Sequence, residues 1–228
     1  MNGKNGKNGK RRIVLTGGPG GGKTTAADLF RREMGEHIII VPEAATLLFS
    51  GGFPRSDEPH AMRAAQRAMF HVQRNLEDVQ SARFPDRILL CDRGTVDGAA
   101  YWPDGGEDFF SALGTSRDAE YTRYDAVLFF ESAAVGGLEV VEGGNPVRTE
   151  SIGSAAMLDA RLRECWIDHP NFVLIPHETS FFHKMTRALQ SLQDILVRLE
   201  QRRYVGGNID GGGHDAGGHG AGGGQTPV

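Results

Sequence analysis

Cysteine is scarce, long apolar runs are missing, and there is no surplus of positive charge. Two cysteines in 228 residues, Cys91 and Cys165, are too few for a disulfide scaffold and lack the paired spacing of a zinc site. A reducing, cytoplasmic setting is therefore expected. No stretch approaches the roughly 18 consecutive apolar residues of a membrane span. The opening Met1-Asn2-Gly3-Lys4 has no apolar segment of the signal-peptide kind. The formal net charge is −4; setting aside the five basic residues up to Arg12 and the two aspartates after position 205 leaves the middle at −7. An acidic body of this kind argues against a protein that coats nucleic acid.

Composition otherwise fits one globular domain with a sizeable core, at 39% apolar and 24% charged residues. Glycine marks the limits of that domain. Of 32 glycines, three fall in residues 1–12 and eleven in residues 206–228. Residues 2–10 repeat Asn-Gly-Lys three times, and the C-terminal stretch holds little beyond glycine, His214, His219 and two aspartates. Such segments cannot bury enough apolar surface to offset the entropy of ordering. Residues 1–10 and 206–228 are expected to be disordered tails around a domain at 11–205.

Within the domain, short β-branched and apolar runs alternate with longer helical patterns. Residues 13–15, 38–41, 88–91, 127–130 and 172–175 have the length and composition of buried parallel strands. Met62, Ala65, Met69, Val72, Leu76 and Val79 step by three and four, as do Phe181, Met185, Ala188, Leu192, Ile195 and Leu199. Both stripes are expected to face a core. A third helix is expected over 154–168 through Leu158, Leu162 and Cys165, ending near Pro170. The order implies a five-stranded parallel sheet with helices on both faces, an α/β three-layer sandwich.

The chemistry starts directly after the first strand. Gly17-Gly18-Pro19-Gly20-Gly21-Gly22-Lys23-Thr24-Thr25 contains the phosphate-loop (Walker A) pattern. Glycines let backbone N–H groups curl around a phosphate, and the helix that follows points its positive end at the anion. Lys23 is placed to bridge β- and γ-phosphates, Thr24 to ligate Mg²⁺, and Thr25 to reach the α-phosphate. The expected cofactors are ATP or GTP with Mg²⁺.

The loop fixes the nucleotide but not the reaction, so the other strand ends matter, where ligands of open parallel sheets collect. After the second strand, Glu43 stands where it could act as general base on a substrate hydroxyl, or simply as an acid favoured at a helix N-terminus. The third strand runs into Asp92-Arg93-Gly94. Asp92 is the candidate for the Mg²⁺-water ligand. Arg93 suits either a phosphate contact or a structural ion pair with Asp92 or Glu43. The stretch from Thr95 to Trp102 adds Asp97 and two aromatics that either hold an acceptor or belong to the core. Residues 131–150, with two Gly-Gly pairs, read as a lid that delivers Arg148 to the phosphoryl group, while Arg161 and Arg163 read as solvated helix charges.

Taken together, residues 17–25, Val41-Pro42-Glu43-Ala44-Ala45, residues 91–102 and Val147-Arg148-Thr149-Glu150 resemble a P-loop family labelled AAA. It groups the nicotinamide riboside kinase domain of the NadR regulator with GTP-binding translocation-defect proteins. The resemblance spans about residues 11–200 and implies a fold akin to nucleoside and thymidylate kinases. In that fold a glutamate after the second strand acts as base and an acid-arginine pair after the third lies near the acceptor; these roles fall on Glu43, Asp92 and Arg93. No Asp-Glu pair follows the third strand, which separates the chain from ring-forming motors, and no Asn-Lys-x-Asp motif selects guanine. The expected function is phosphoryl transfer from the nucleotide to a small nucleoside-like acceptor. The alternative is a nucleotide-operated switch or ATPase without an acceptor. The expected partners are the nucleotide and that small molecule, with no nucleic acid and no membrane span.

Overall fold

The computed structural model describes residues 11–136 and 152–207. Arg148, most of the 131–150 segment, residues 1–10 and residues 208–228 lie outside the described residues, whereas Gly206 and Gly207 of the expected C-terminal tail close the last helix. Five strands, β1 (Arg12–Thr16), β2 (Ile38–Val41), β3 (Ile88–Asp92), β4 (Ala126–Phe130) and β5 (Phe172–Ile175), form one parallel sheet in the order β2-β3-β1-β4-β5. The helices are α1 (Lys23–Met34), α2 (Ala44–Ser50), α3 (Pro59–Arg83), α4 (Phe109–Ala112), α5 (Arg117–Tyr121), α6 (Ile152–Trp166) and α7 (Phe181–Gly207). Short 3₁₀ segments include Thr95–Tyr101 and Ala133–Gly136.

The strands are apolar at nearly every position because both faces are covered. Side chains alternate along a strand, so Ile13 and Leu15 point to one face and Val14 to the other. The first face joins Leu90, Leu128 and Phe130 to Ala26 and Phe30 of α1 and to Ala188, Leu192 and Ile195 of α7. The second joins Leu89, Cys91, Val127 and Phe129 to Phe70 of α3, Tyr121 of α5 and Leu162 and Trp166 of α6. The central strand β1 registers Leu15 against Asp92 of β3 and against Leu128 of β4. Its C-terminal end therefore opens between the ends of both neighbours, where a parallel sheet collects its ligand.

One expectation needs correction. The apolar stripe of α3 faces the core only in part: Leu76 packs against the second-face cluster, whereas Met62, Ala65 and Met69 are half-buried and line a cavity, and Val79 is 53% exposed. The buried residues of α3 are Phe70, Gln73 and Glu77. Arg12, set aside above in the charge count but inside the expected 11–205 domain, is the first residue of β1 and is 2% exposed. Its guanidinium donates to Glu77 (3.2 Å) and Asp78 (2.7 Å), while Arg123 and Tyr124 also donate to Glu77, each at 2.7 Å. A buried carboxylate with this many donors offsets its desolvation.

The α7 stripe behaves as expected from Met185 to Ile195, and only its first member, Phe181, is exposed. No helix among the described residues is long and apolar enough to cross a membrane. Truncating Phe70 to alanine is expected to cost about 3–5 kcal/mol in urea denaturation. Val79→Ala is expected to cost about 0.5 kcal/mol or less. Similar costs for the two would return Val79 to the core.

Candidate functional site

Residues 17–22 connect the buried end of β1 to the first turn of α1. Gly17 has φ +127° and Gly22, the residue before the helix, φ +90°, conformations that L side chains rarely adopt. At Gly17 space adds a second constraint, because a Cβ there would lie 2.1 Å from the Phe130 carbonyl oxygen. The first turn of α1 contains no acidic side chain, so the positive end of its dipole is left uncompensated. The buried Lys23 folds back along the loop, its Nζ donating to the carbonyls of Gly17 and Gly18, each at 2.8 Å. Thr24 and Thr25 are exposed at the helix start.

The loop is held on its inner side by residues that carry no motif. Asp159 of α6 accepts from the Gly18 N–H (2.8 Å) and the Ser132 N–H (2.9 Å). The Ser132 hydroxyl donates to the Pro19 carbonyl at 2.5 Å. Burial pushes the Asp159 pKa up, opposed by those two N–H donors. At the end of β4, Glu131 accepts from the His177 N–H and from Lys184, which bonds its carbonyl at 2.6 Å. Burial pulls the Lys184 pKa down while Glu131, Asp159 and Glu178 push it up.

Glu43, Arg93 and Asp97 meet at the ends of β2 and β3. Arg93 is 7% exposed and has φ +70°, uncommon for a side chain of its kind. Its Nε donates to Glu43 (2.8 Å), and its Nη1 donates to Asp97 (3.1 Å) and towards the Gly17 carbonyl (3.4 Å). Burial alone would lower the Arg93 pKa, but the acidic groups Tyr101, Glu43, Asp97 and Asp92 hold it well above its ordinary value. The guanidinium is thus a permanent cation between an acid and the phosphate loop. The other oxygen of Glu43 accepts from the Thr46 hydroxyl at 2.5 Å.

Asp97 has further partners, accepting from Thr16 Oγ1 (2.8 Å) and Trp166 Nε1 (2.5 Å). It therefore braces the end of β1. Gln73 ties the cluster together from below, its amide nitrogen donating to Glu77 (3.3 Å) and the Arg93 carbonyl (3.2 Å), and its oxygen accepting from the Ala44 N–H (3.3 Å). Asp92 closes β3 next to this group, half-buried.

Beside these charges lies a cavity of about 550 Å³. Its lining includes the polar Glu43, Arg93, Asp97 and Gln73 and the apolar Phe49, Met62, Ala65, Met69 and Phe70. Arg55 lies over the Phe49 ring at 3.7 Å and also lines the space. Of the two aromatics in the 95–102 stretch, Tyr101 lines the cavity, whereas Trp102 is core, its indole N–H bonding Asp108 at 2.6 Å. Arg161 is exposed; Arg163 is half-buried, 3.7 Å from Glu131.

A glycine loop at the end of the central strand, a helix N-terminus behind it and a cavity alongside define a P-loop nucleotide-binding domain. A family model described as an AAA domain matches residues 12–183, and the chain belongs to that family. No curated protein matches it. Among solved structures, deoxyadenosine kinase from M. mycoides with the products dCMP and a flexible dCDP aligns with a TM-score of 0.55 at 13% identity, covering 80% of this chain and 99% of that one. The same kinase with bound dATP gives 0.53 at 13%, with the same coverage. At this identity the likeness is one of fold.

Sequence reading missed Gln73, Asp159, Ser132 and Thr46, whose partners are set by tertiary contact rather than by motif. Replacing Arg93 by methionine would leave the carboxylates of Glu43 and Asp97 facing each other without their cation. The expected loss is about 3 kcal/mol at pH 7. Denaturant unfolding at pH 7 measures this, and a loss of less than about 1 kcal/mol would show that the two carboxylates do not depend on the cation.

Proposed function

We propose that the protein is a Mg²⁺-dependent phosphotransferase that moves the γ-phosphoryl group of ATP or GTP to a hydroxyl of a small nucleoside-like acceptor. The observation that carries this reading is the shared position of Arg93: it forms part of the cavity wall, pairs with Glu43 and reaches the first carbonyl of the phosphate loop. A molecule in the cavity thus lies beside the place where a terminal phosphate would be presented. The apolar lining residues suit a flat ring, and the polar ones a hydroxyl-bearing sugar.

In this reading the loop N–H groups and Lys23 bind the phosphates, and the end of α1 supplies positive potential. Glu43, paired with Arg93, accepts the proton of the attacking hydroxyl; Thr46 orients its other oxygen. Arg93 steadies charge on the transferred group. Arg148, outside the described residues, adds a third cation from the lid, after Lys23 and Arg93.

The residues present suit magnesium. Thr24 and Asp92 offer hard oxygen donors, and no cluster of three or more His, Cys, Asp or Glu residues forms a metal cage among the described residues. Magnesium when bound would neutralise phosphate charge. A domain at 11–205 flanked by tails, in a cytoplasmic setting, belongs to the same proposal. The rival reading, a nucleotide-operated switch or ATPase, draws on the internal partners that already engage Arg93: Glu43, Asp97 and the Gly17 carbonyl.

Turnover followed by ³¹P NMR with Mg-ATP and Mg-GTP, over a pooled panel of nucleosides and ribosides, tests the choice. A new phosphomonoester is expected, absent with Lys23→Ala. Glu43→Gln is expected to lower kcat by about a hundredfold or more, with nucleotide affinity held within about threefold. Tight nucleotide binding without any new ester would select the switch.

A further inference from the structure

Asp159 is a carboxylate that the proposed chemistry does not use, yet it is 3% exposed and touches the phosphate loop. Burying an anion beside a loop that binds phosphate runs against the loop's electrostatics, so the position calls for a compensating role. Both of its bonds come from backbone N–H groups, those of Gly18 and Ser132, and both end on the same oxygen. Ser132 extends the contact by donating from its hydroxyl to the Pro19 carbonyl. Gly18 and Pro19, the first half of the loop, are thereby fixed to α6 and to the end of β4.

The fit is tight. A Cβ on Gly18 would lie 2.5 Å from Asp159 Oδ1, although the Gly18 backbone is outside the left-handed region. On the other side, Lys23 bonds the Gly17 and Gly18 carbonyls. Each peptide flanking Gly18 is thus held by a charged side chain, the N–H by an anion and the carbonyl by a cation.

We infer that Asp159 is a positioning residue for nucleotide binding: with Ser132 it sets the entry of the phosphate loop, so α6 forms part of the nucleotide site. What it contributes is first of all a hydrogen-bond acceptor, because a single oxygen takes both backbone N–H groups. A loop pinned before the ligand arrives loses less freedom on binding. The inference rests on the nucleotide-binding part of the proposed function and is independent of any acceptor.

The test is a set of titrations of the full chain with a fluorescent ATP analogue and Mg²⁺, alongside melting temperatures. Asp159→Ala is expected to weaken binding about tenfold, the scale of one or two lost hydrogen bonds. Asp159→Asn, which keeps an oxygen acceptor, is expected to stay within about threefold of wild type. Ser132→Ala is expected to weaken binding about threefold, and it decides the matter together with Asp159→Asn if Asp159→Ala does not fold. Lower melting temperatures with unchanged affinity would reduce Asp159 to a structural role and overturn the inference. A loss in Asp159→Asn as large as in Asp159→Ala would overturn it too, since the charge would then be what matters. A wild-type protein that binds no nucleotide would sink the proposed function itself.

Discussion

The buried guanidinium of Arg93 is the contact on which the site depends. A cation out of water must be matched by anions and carbonyls in good geometry, and here they come from three separate places. Glu43 arrives from the end of β2, Asp97 from the 3₁₀ turn after β3, and the Gly17 carbonyl from the loop after β1. The left-handed backbone at Arg93 costs free energy on the order of 1–3 kcal/mol. Gln73, bonding the Arg93 carbonyl, is among the contacts that hold it in place. One side chain therefore sets the spacing between an acid at the cavity wall and the loop that holds phosphate.

Helix α3 connects that cluster to the foundation of the sheet. Towards its N-terminal end it presents Met62, Ala65 and Met69 to the cavity. Further along, Glu77 gathers Arg12 from the start of β1 with Arg123 and Tyr124 from the approach to β4. Gln73 sits between the two, bonded both to Glu77 and to the backbone beside Glu43 and Arg93. The cavity wall and the central strand are thus joined through a short chain of buried polar contacts, where an unpaired member would be costly.

The parts of this molecule that were legible in its sequence are those set by local pattern. Strands buried on both faces read as short apolar runs, and the loop reads as glycines ahead of Lys23 and Thr24, because backbone conformation demands them. The α3 stripe misled because periodicity shows which residues share a face, not whether that face meets a core or an open cavity. The burial of Arg12 is hidden for a related reason: it continues a run of basic residues, and nothing local shows that its partners wait on α3. Asp159 lies 141 residues from Gly18, and no spacing rule links a carboxylate in the middle of one helix to a loop that far away. Glu43 and Arg93 were singled out by their places at strand ends, but their pairing with each other and with Asp97 is a tertiary result.

The walls of the site also divide along the chain. The cavity is built from residues 43–101, whereas the phosphate loop is braced by Phe130, Ser132, Asp159, Phe181 and Met185, all later in sequence. Arg93, which lines the cavity and reaches the Gly17 carbonyl, joins the two. Met62 and Met69 line the cavity but take no part in the hydrogen bonds that hold the loop, so a substitution there changes the shape of the space while the contacts of Gly18 and Pro19 with Asp159 and Ser132 stay in place.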